Sequence, residues 1–212
     1  MKKIIVSIDG PAGSGKQRIA KYIAKKYKFY HLDSGVLYRR ITLLVIKKRV
    51  DLKNLKKIKE VINNIEYLSP RNHRILRTEV VSKNASIISK ILFVRKFVNN
   101  QQKLIVARKL KRYRGCVIDG RDIGSKVFTN AKYKLFIDVK AKIRANRRHK
   151  QLIELGEKSI YGKILKEIIL RDKADINRKE SPLIIPRNSI IIDNSSSFKN
   201  TTNQINKVLR KI

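Results

Sequence analysis

A stretch near the start of the chain has the residue types and spacing that bind phosphate. Asp9 to Arg18 read DGPAGSGKQR and contain G-x-x-x-x-G-K, with Gly10, Gly15 and Lys16 at the required positions. Glycines let the backbone turn so that successive N–H groups converge on phosphate oxygens. The lysine adds a full positive charge for the outer phosphates of a nucleotide. This stretch is therefore predicted to bind a nucleotide through its phosphates.

The segments on either side of this loop must position it. Ile4 to Ile8 form a short apolar run typical of a buried strand, and a helical pattern follows the loop. The helix face is apolar at Ile19, Ala20, Ile23 and Ala24. Strand, loop and helix in this order are the context that a phosphate-binding loop requires, and the helix N-terminus adds partial positive charge. One feature departs from the pattern, because Gln17 and Arg18 stand where a small and a hydroxyl residue are usual.

Composition limits the classes of partner. The chain has 52 Lys and Arg against 16 Asp and Glu, a formal net charge of +36. These cations are spread along the whole chain, which favours a solvated basic surface that attracts anionic substrates over a nucleic-acid groove. Cys116 is alone, so neither a disulfide framework nor a cysteine zinc site is expected. No apolar run could span a membrane and no signal peptide precedes the first strand, so we expect a cytoplasmic protein. We also expect a monomer.

Apolar runs alternate with helical patterns along the rest of the chain. Further strands are predicted at Phe29–Gly35 (ending in a turn), Cys116–Ile118, Lys134–Val139 and Ser189–Ile192. Helices are predicted between them, including a long one from Ile87 to about Lys111 and a basic one from Lys142 to Leu152, whereas residues 50–85 are less regular. This alternation predicts an α/β domain with a mainly parallel sheet. Ligands of such sheets bind at the carboxyl ends of the strands, where Asp9, Asp33 and Asp119 are expected.

Several segments, in chain order, resemble the bacterial cytidylate kinases: DGPAGSGK, LDSGVLYR, DGRDIG, RRHKQL and RDKADINR. The resemblance covers most of the chain, and the second, third and fifth segments are more discriminating than the phosphate-binding loop. It implies the P-loop nucleoside monophosphate kinase fold in a single domain, 1–212. The core would comprise 1–49, 86–141 and 163–212, with an acceptor-binding insertion at about 50–85 and a small lid at about 142–162. The implied activity is phosphoryl transfer from Mg·ATP to CMP or dCMP.

The resemblance also implies roles for individual residues. The ATP-binding set is Gly10, Pro11, Ala12, Gly13, Ser14, Gly15, Lys16, Gln17 and Arg18, with Arg144 and Arg147 from the lid. The CMP-binding set is Ser34, Arg39, Ser86, Arg95, Arg121, Asp122, Arg171, Asp175 and Arg178. The catalytic set is Lys16, Arg121, Arg148 and Arg178, and no residue is expected to bind a metal directly, although Asp119 could hold a water of the Mg²⁺ shell. Asp122 would accept from the exocyclic amine of cytosine, a donor that uracil lacks.

Some of these assignments depend more on the resemblance than on the residues. Taken alone, Arg144, Arg147 and Arg148 are typical of a solvated charged face. Arg171, Asp175 and Arg178 recur at i, i+4 and i+7, which predicts one shared helical face.

Three departures leave alternatives open. The loop reads GKQR where the family has GKGT or GKST, the insertion looks shorter than is usual, and Ala174 replaces an arginine of the lid-side segment. Bacterial members carry a small antiparallel sheet in that insertion. The alternatives are another monophosphate kinase, acting on UMP or AMP, and a nucleotide- or nucleic-acid-binding protein with weakened catalysis.

Overall fold

The computed structural model describes residues 3–210 and 212, and the chain divides into two compact units. One unit comprises the chain up to His31 together with Arg114–Ile212, and the other is Leu32–Tyr113. The strands are β1 (Ile4–Asp9), β2 (Tyr30–Asp33), β3 (Gly115–Asp119), β4 (Tyr133–Asp138) and β5 (Ile190–Asp193). The helices are α1 (Lys16–Tyr27), α2 (Ser34–Lys47), α3 (Leu55–Asn63), α4 (Glu79–Ile88), α5 (Leu92–Leu110), α6 (Ala141–Glu154), α7 (Tyr161–Ile176) and α8 (Phe198–Leu209). The expected division into core, insertion and lid stays a prediction.

The strands form one sheet in the order β2-β3-β1-β4-β5. Strand β1 pairs in parallel with β3 and β4, and β4 pairs in parallel with β5, which confirms the predicted α/β class. Each strand ends at an aspartate, namely Asp9, Asp33, Asp119, Asp138 and Asp193. The loops that follow the central strands β1 and β3 therefore start at the same edge of the sheet, where parallel sheets bind ligands.

The core of the first unit lies between the sheet and two helices. Ile19 and Ile23 of α1, with Ile205 and Leu209 of α8, are fully buried against strand residues such as Val6, Val117, Leu135 and Ile137. Burying an aliphatic side chain of this size contributes about 1.5–3 kcal/mol. This packing holds α1, and with it the loop that precedes α1, against the carboxyl edge of β1.

The second unit is helical beyond the end of β2. Helix α2 begins directly at Ser34, without the turn expected after the strand, and packs against α3, α4 and α5. The segment 50–85, predicted to be less regular, contains α3, a 3₁₀ turn at Arg74–Arg77 and most of α4. Residues 64–73 are in neither helix nor strand, and no residue of the segment is in a strand. Helix α3 is capped by the side chain of Asn54, which accepts from the backbone N–H of Lys57 at 3.0 Å.

The long helix predicted from Ile87 to about Lys111 is confirmed over α5, but its predicted start is wrong, because the chain leaves the helical path between α4 and α5. The Ser89 hydroxyl donates to the carbonyl of Ser86 at 3.0 Å, and Ile91 has the extended backbone angles of a helix N-cap. Serine hydroxyls that bond nearby carbonyls compete with the helical hydrogen-bond pattern. Among residues 3–210, no helix combines the length and the apolar character that crossing a membrane would require.

Candidate active site

The phosphate-binding loop lies between β1 and α1, and Lys16 is the first residue of α1. The ammonium of Lys16 is buried and donates to the carbonyl of Pro11 at 2.6 Å and to the hydroxyl of Ser14 at 3.2 Å. Gly10 and Gly15 have φ values of +147° and +87°. A Cβ at either position would come within 2.5 Å of a neighbouring atom, the carbonyl oxygen of Ile137 or the amide nitrogen of Asn194. Only glycine fits this path, which is the reason for the spacing found in the sequence.

Charged groups of the first unit surround the Lys16 ammonium. Burial holds the pKa of Lys16 well below 10.5, and Arg121 lowers it further, while Asp119, Asp9 and Asp175 oppose these effects. An arriving phosphate would add negative charge beside the ammonium and favour its protonated form. The site is therefore arranged to gain electrostatic stabilisation when an anion binds.

Asp9, the last residue of β1, contacts the loop that follows β3. Its two carboxylate oxygens accept from the backbone N–H groups of Ile123 and Gly124, each at 2.7 Å. Burial raises the pKa of Asp9 to about 6, an effect that these hydrogen bonds and Lys16 oppose and that the charge of Asp122 increases. Both oxygens accept hydrogen bonds from the backbone, so Asp9 holds the loop after β3 against β1.

An ion-pair cluster joins this loop to the end of α7. Arg121 donates through Nε to Asp175 Oδ2 at 3.1 Å, and Arg178 Nη1 lies 3.7 Å from Asp175 Oδ1. The predicted shared helical face is wrong for Arg178, because α7 ends at Ile176. The chain turns back there, with the N–H of Leu183 donating to the carbonyl of Asp175 at 2.8 Å.

The other residues of these segments differ in burial. Asp122 is buried beside Arg121, whereas Arg171 is exposed on α7, one turn before Asp175. The structure thus brings Arg121, Asp175 and Arg178 together and leaves Arg171 on the solvent side.

Sequence reasoning missed His31. Its Nε2 lies 2.6 Å from Asp119 Oδ1, and the two side chains are 16% and 9% exposed. The signal in the sequence is the place of His31 in the predicted strand Phe29–Gly35, next to the carboxyl end where ligands bind. Among the described residues, His, Cys, Asp and Glu form no group of three or more able to hold a metal ion.

The three arginines of α6 have different surroundings. Arg144 is buried and donates to the carbonyls of Val139 at 2.8 Å and Ala12 at 2.9 Å, and to Asp172 at 3.1 and 2.5 Å. Arg147 donates to the carbonyls of Ser195 and Ser196, at 3.2 and 3.1 Å. Arg148 is exposed, with a bond to Gln151 at 3.1 Å. A solvated charged face, the interpretation from the residues alone, therefore describes Arg148 but not Arg144.

The unusual residues after Lys16 occupy the first turn of α1. The guanidinium of Arg18 lies 3.8 Å from the ring centre of Phe198 in α8, and Gln17 is half-buried. A cation stacked on an aromatic ring is stabilised by about 0.5–1 kcal/mol at an exposed site. Arg18 therefore contributes to the contact between α1 and α8.

The remaining predicted residues belong to the second unit. Arg39 lies within 3.3 Å of Asp33, which Arg77 also approaches at 3.6 Å, and Ser34 is buried at the start of α2. Ser86 and Arg95, both in the predicted CMP-binding set, lie on different helices: Ser86 is exposed on α4 and Arg95 is buried on α5.

These two residues are held by local contacts. The Ser86 hydroxyl donates to the carbonyl of Lys83 at 2.7 Å. Arg95 donates to the carbonyl of Ser89 at 2.8 Å, and its guanidinium lies 5.6 Å from the ring centre of Tyr38.

A glycine loop with a buried lysine, at the carboxyl edge of a parallel sheet and beside an arginine cluster, defines a P-loop α/β protein. Solved structures share this fold. The chain matches TT1252 from Thermus thermophilus with a TM-score of 0.56 and 16% identity, over 100% of this chain and 99% of that one. It matches an uncharacterized protein from Eubacterium ventriosum with a TM-score of 0.54 and 14% identity, over the whole of both chains.

Sequence comparison shows the family, and the chain belongs to the cytidylate kinases. The family model described as cytidylate kinase matches residues 6–212. A cytidylate kinase of Fusobacterium nucleatum is 37% identical over the whole of both chains. Another, from Thermosipho africanus, is 39% identical over 98% of this chain and 93% of that protein. The resemblance predicted from the short segments is thereby confirmed.

Proposed function

We propose that the protein transfers the terminal phosphoryl group of ATP to CMP or dCMP, giving ADP and CDP or dCDP. The observation that carries this proposal is the convergence of Lys16, Arg121 and Asp175 at the carboxyl edge of the sheet, in a chain of the cytidylate kinase family. Phosphoryl transfer needs two anions in line and their charge neutralised as it redistributes, with little covalent chemistry from the protein. A site rich in cations meets these requirements.

The proposed donor site is the loop from Gly10 to Arg18. Its backbone N–H groups and the N-terminus of α1 would bind the phosphates, whatever side chains stand at positions 17 and 18. Lys16 would exchange its contacts with Pro11 and Ser14 for the outer phosphates. Mg²⁺ would arrive as part of the substrate, and Asp119, held by His31, would bind a water of its shell.

The lid arginines complete the proposed donor site. Arg147 and Arg148 would contact the ATP phosphates on the α6 side. Arg144 would contribute to ATP binding by holding the donor loop in place, since it donates to the carbonyl of Ala12. Excluding water matters here, because water would otherwise accept the phosphoryl group.

The proposed acceptor residues are the CMP-binding set that the family resemblance implies. Arg39, Arg121 and Arg178 would bind the phosphate of CMP, and Arg121 would exchange its bond to Asp175 for that phosphate. Asp122 would accept from the exocyclic amine of cytosine, and Ser34, Ser86 and Arg95 would make the remaining contacts to the base. Arg171 and Asp175 would contact the sugar. Arginine suits the phosphate contacts because its planar fork matches phosphate oxygens.

The test is ADP release, coupled to an indicator reaction, over a panel of nucleoside monophosphates with Mg·ATP as donor. CMP and dCMP should be the best acceptors, UMP should be slower, and AMP and GMP should be poor. Phosphorylation of AMP faster than of CMP would overturn the assignment. A protein that binds RNA or DNA with a steep salt dependence and releases no ADP would instead support the nucleic-acid alternative. The cytoplasmic location and the monomeric state stay predictions. Analytical ultracentrifugation would test the oligomeric state.

A further inference from the structure

The loop after β3 is attached to β1 at two places. At its start, the N–H of Gly120 donates to the carbonyl of Ile8 at 2.9 Å, which continues the pairing of β3 with β1. At its end, the carboxylate of Asp9 accepts from the N–H groups of Ile123 and Gly124, both at 2.7 Å. The residues between these attachments are Arg121 and Asp122, the two that we propose to read the phosphate and the base of CMP.

The attachment at the end of the loop leaves little room for displacement. A Cβ on Gly124 would lie 2.7 Å from the Ser7 hydroxyl, 3.1 Å from Asp9 Oδ2 and 3.3 Å from Pro186. Asp9 itself is fully buried, and bonds from backbone N–H groups to a carboxylate are about twice as strong as neutral ones. The loop therefore has one well-defined distance from β1 at this end.

We infer that Asp9 is a positioning residue for the acceptor, since its carboxylate fixes the backbone that carries Arg121 and Asp122. This inference rests on the proposed function and adds a residue that touches neither substrate. Strand β1 then positions the binding residues of both substrates. It leads into the donor loop at Gly10, and the side chain of Asp9 holds the loop after β3, which carries acceptor residues. The alignment of the two substrates depends on this single residue type at the end of one strand.

Only a carboxylate meets this requirement. It offers acceptor oxygens to two neighbouring N–H groups at once, whereas an asparagine amide has one oxygen and turns an NH₂ group towards the other donor. The Asp9→Asn variant keeps the size of the side chain and loses one of the two bonds. A backbone N–H left facing an NH₂ group should move, and Arg121 and Asp122 should move with it.

The experiment compares Asp9→Asn with the wild type in steady-state kinetics, with CMP and then ATP varied. The KM for CMP should rise about tenfold, as expected for one lost hydrogen bond to a charged group, and should rise by more than the KM for ATP, which is affected only through the loss of the Asp9 charge near Lys16. The CMP-to-UMP ratio of kcat/KM should fall as well, because Asp122 would no longer be aimed at the base. Asp51→Asn is the matched control, since Asp51 is an exposed carboxylate that accepts one backbone N–H, from Lys53 at 2.9 Å.

A second variant tests the same contact without changing any charge. Gly124→Ala places a methyl group against Ser7 and Asp9 and should also raise the KM for CMP selectively, so it carries the test if Asp9→Asn does not fold. If both KM values are unchanged and kcat falls only with the folded fraction measured by thermal melting, the inference is wrong. Wild-type protein that does not phosphorylate CMP would overturn the proposed function itself, a different outcome from wild-type activity with unaffected variants.

Discussion

Replacing Arg144 by alanine tests whether the donor loop is held by α6. The guanidinium of Arg144 is 4% exposed and makes four hydrogen bonds, to Ala12, Val139 and both carboxylate oxygens of Asp172. It thereby joins the donor loop, the end of β4 and α7. Arg144→Ala would leave two carbonyl oxygens without this donor and the Asp172 carboxylate without its cation.

The expected loss of stability follows from this geometry. Removing one partner of a buried ion pair costs about 3–5 kcal/mol, because the other charge stays buried without compensation. Asp172 is 17% exposed, so water can solvate it in part, and we expect the lower end, about 3 kcal/mol. For a chain of this size the corresponding decrease in Tm is about 6–12 °C. Arg144→Lys, which keeps the charge but not the fork, should lie between alanine and the wild type.

Thermal melting and urea unfolding measure this loss, and Arg148→Ala is the matched control. Arg148 is on the same helix but is exposed and bonded to Gln151, so its replacement should change the free energy of unfolding by less than about 1 kcal/mol. The Arg144→Ala variant should also have a higher KM for ATP, because Ala12 belongs to the donor loop. A Tm within about 2 °C of the wild type, less than 1 kcal/mol for this chain length, would refute the reasoning.

Other predictions concern the two loops. Lys16→Ala should remove about 3 kcal/mol of transition-state stabilisation, and a turnover above about a tenth of the wild-type rate, in protein of unchanged Tm, would contradict its role. Asp122→Asn should reduce the discrimination between CMP and UMP by about 1–3 kcal/mol, and an unchanged ratio of kcat/KM would exclude the base contact. Gln17→Gly with Arg18→Thr should raise kcat/KM for ATP about tenfold and leave the KM for CMP unchanged; no gain would show that GKQR is a neutral variant. Because burial raises the pKa of Asp9 from 3.8 to about 6, despite the nearby Lys16 charge, the folded state holds this proton more tightly than the unfolded state does. The protonated carboxyl of Asp9 therefore contributes fully to the free energy of unfolding below pH 4, and this contribution falls by about 3 kcal/mol as the pH rises to 6. Urea unfolding of wild type and Asp9→Asn over this range checks it, and parallel pH dependences would contradict it.

Local patterns in the sequence were sufficient for the fold and for the donor loop. The spacing of Gly10, Gly15 and Lys16, between an apolar run and an amphipathic pattern, predicted a phosphate-binding loop that the structure has. Alternating runs predicted a parallel sheet, and the aspartates at the ends of β1, β2 and β3 lie where that topology requires. These features depend on residues close together in the chain, whose backbone preferences and apolar periodicity act locally.

Local patterns failed where polar side chains compete with the helical backbone. Apolar periodicity predicts a continuous helix across Ser89. The Ser89 hydroxyl instead bonds the carbonyl of Ser86, and α4 ends at Ile88. The apolar face of α3, with Ile58, Val61 and Ile62, was present in the sequence but was not recognised among lysines. The end of α7 before Arg178 follows a bond from Leu183 to Asp175, which no spacing rule anticipates.

Tertiary structure alone decided which atoms each charged side chain meets. Asp9 binds N–H groups 114 and 115 positions later, His31 meets Asp119 88 positions later, and Arg144 reaches back 132 positions to Ala12. The sequence by itself determined that acidic residues would be few, 16 in all, and that several aspartates would follow strands. Their partners depend on which strands are neighbours in the sheet, because hydrogen bonds and ion pairs act over a few ångströms, a distance that folding and not sequence order determines.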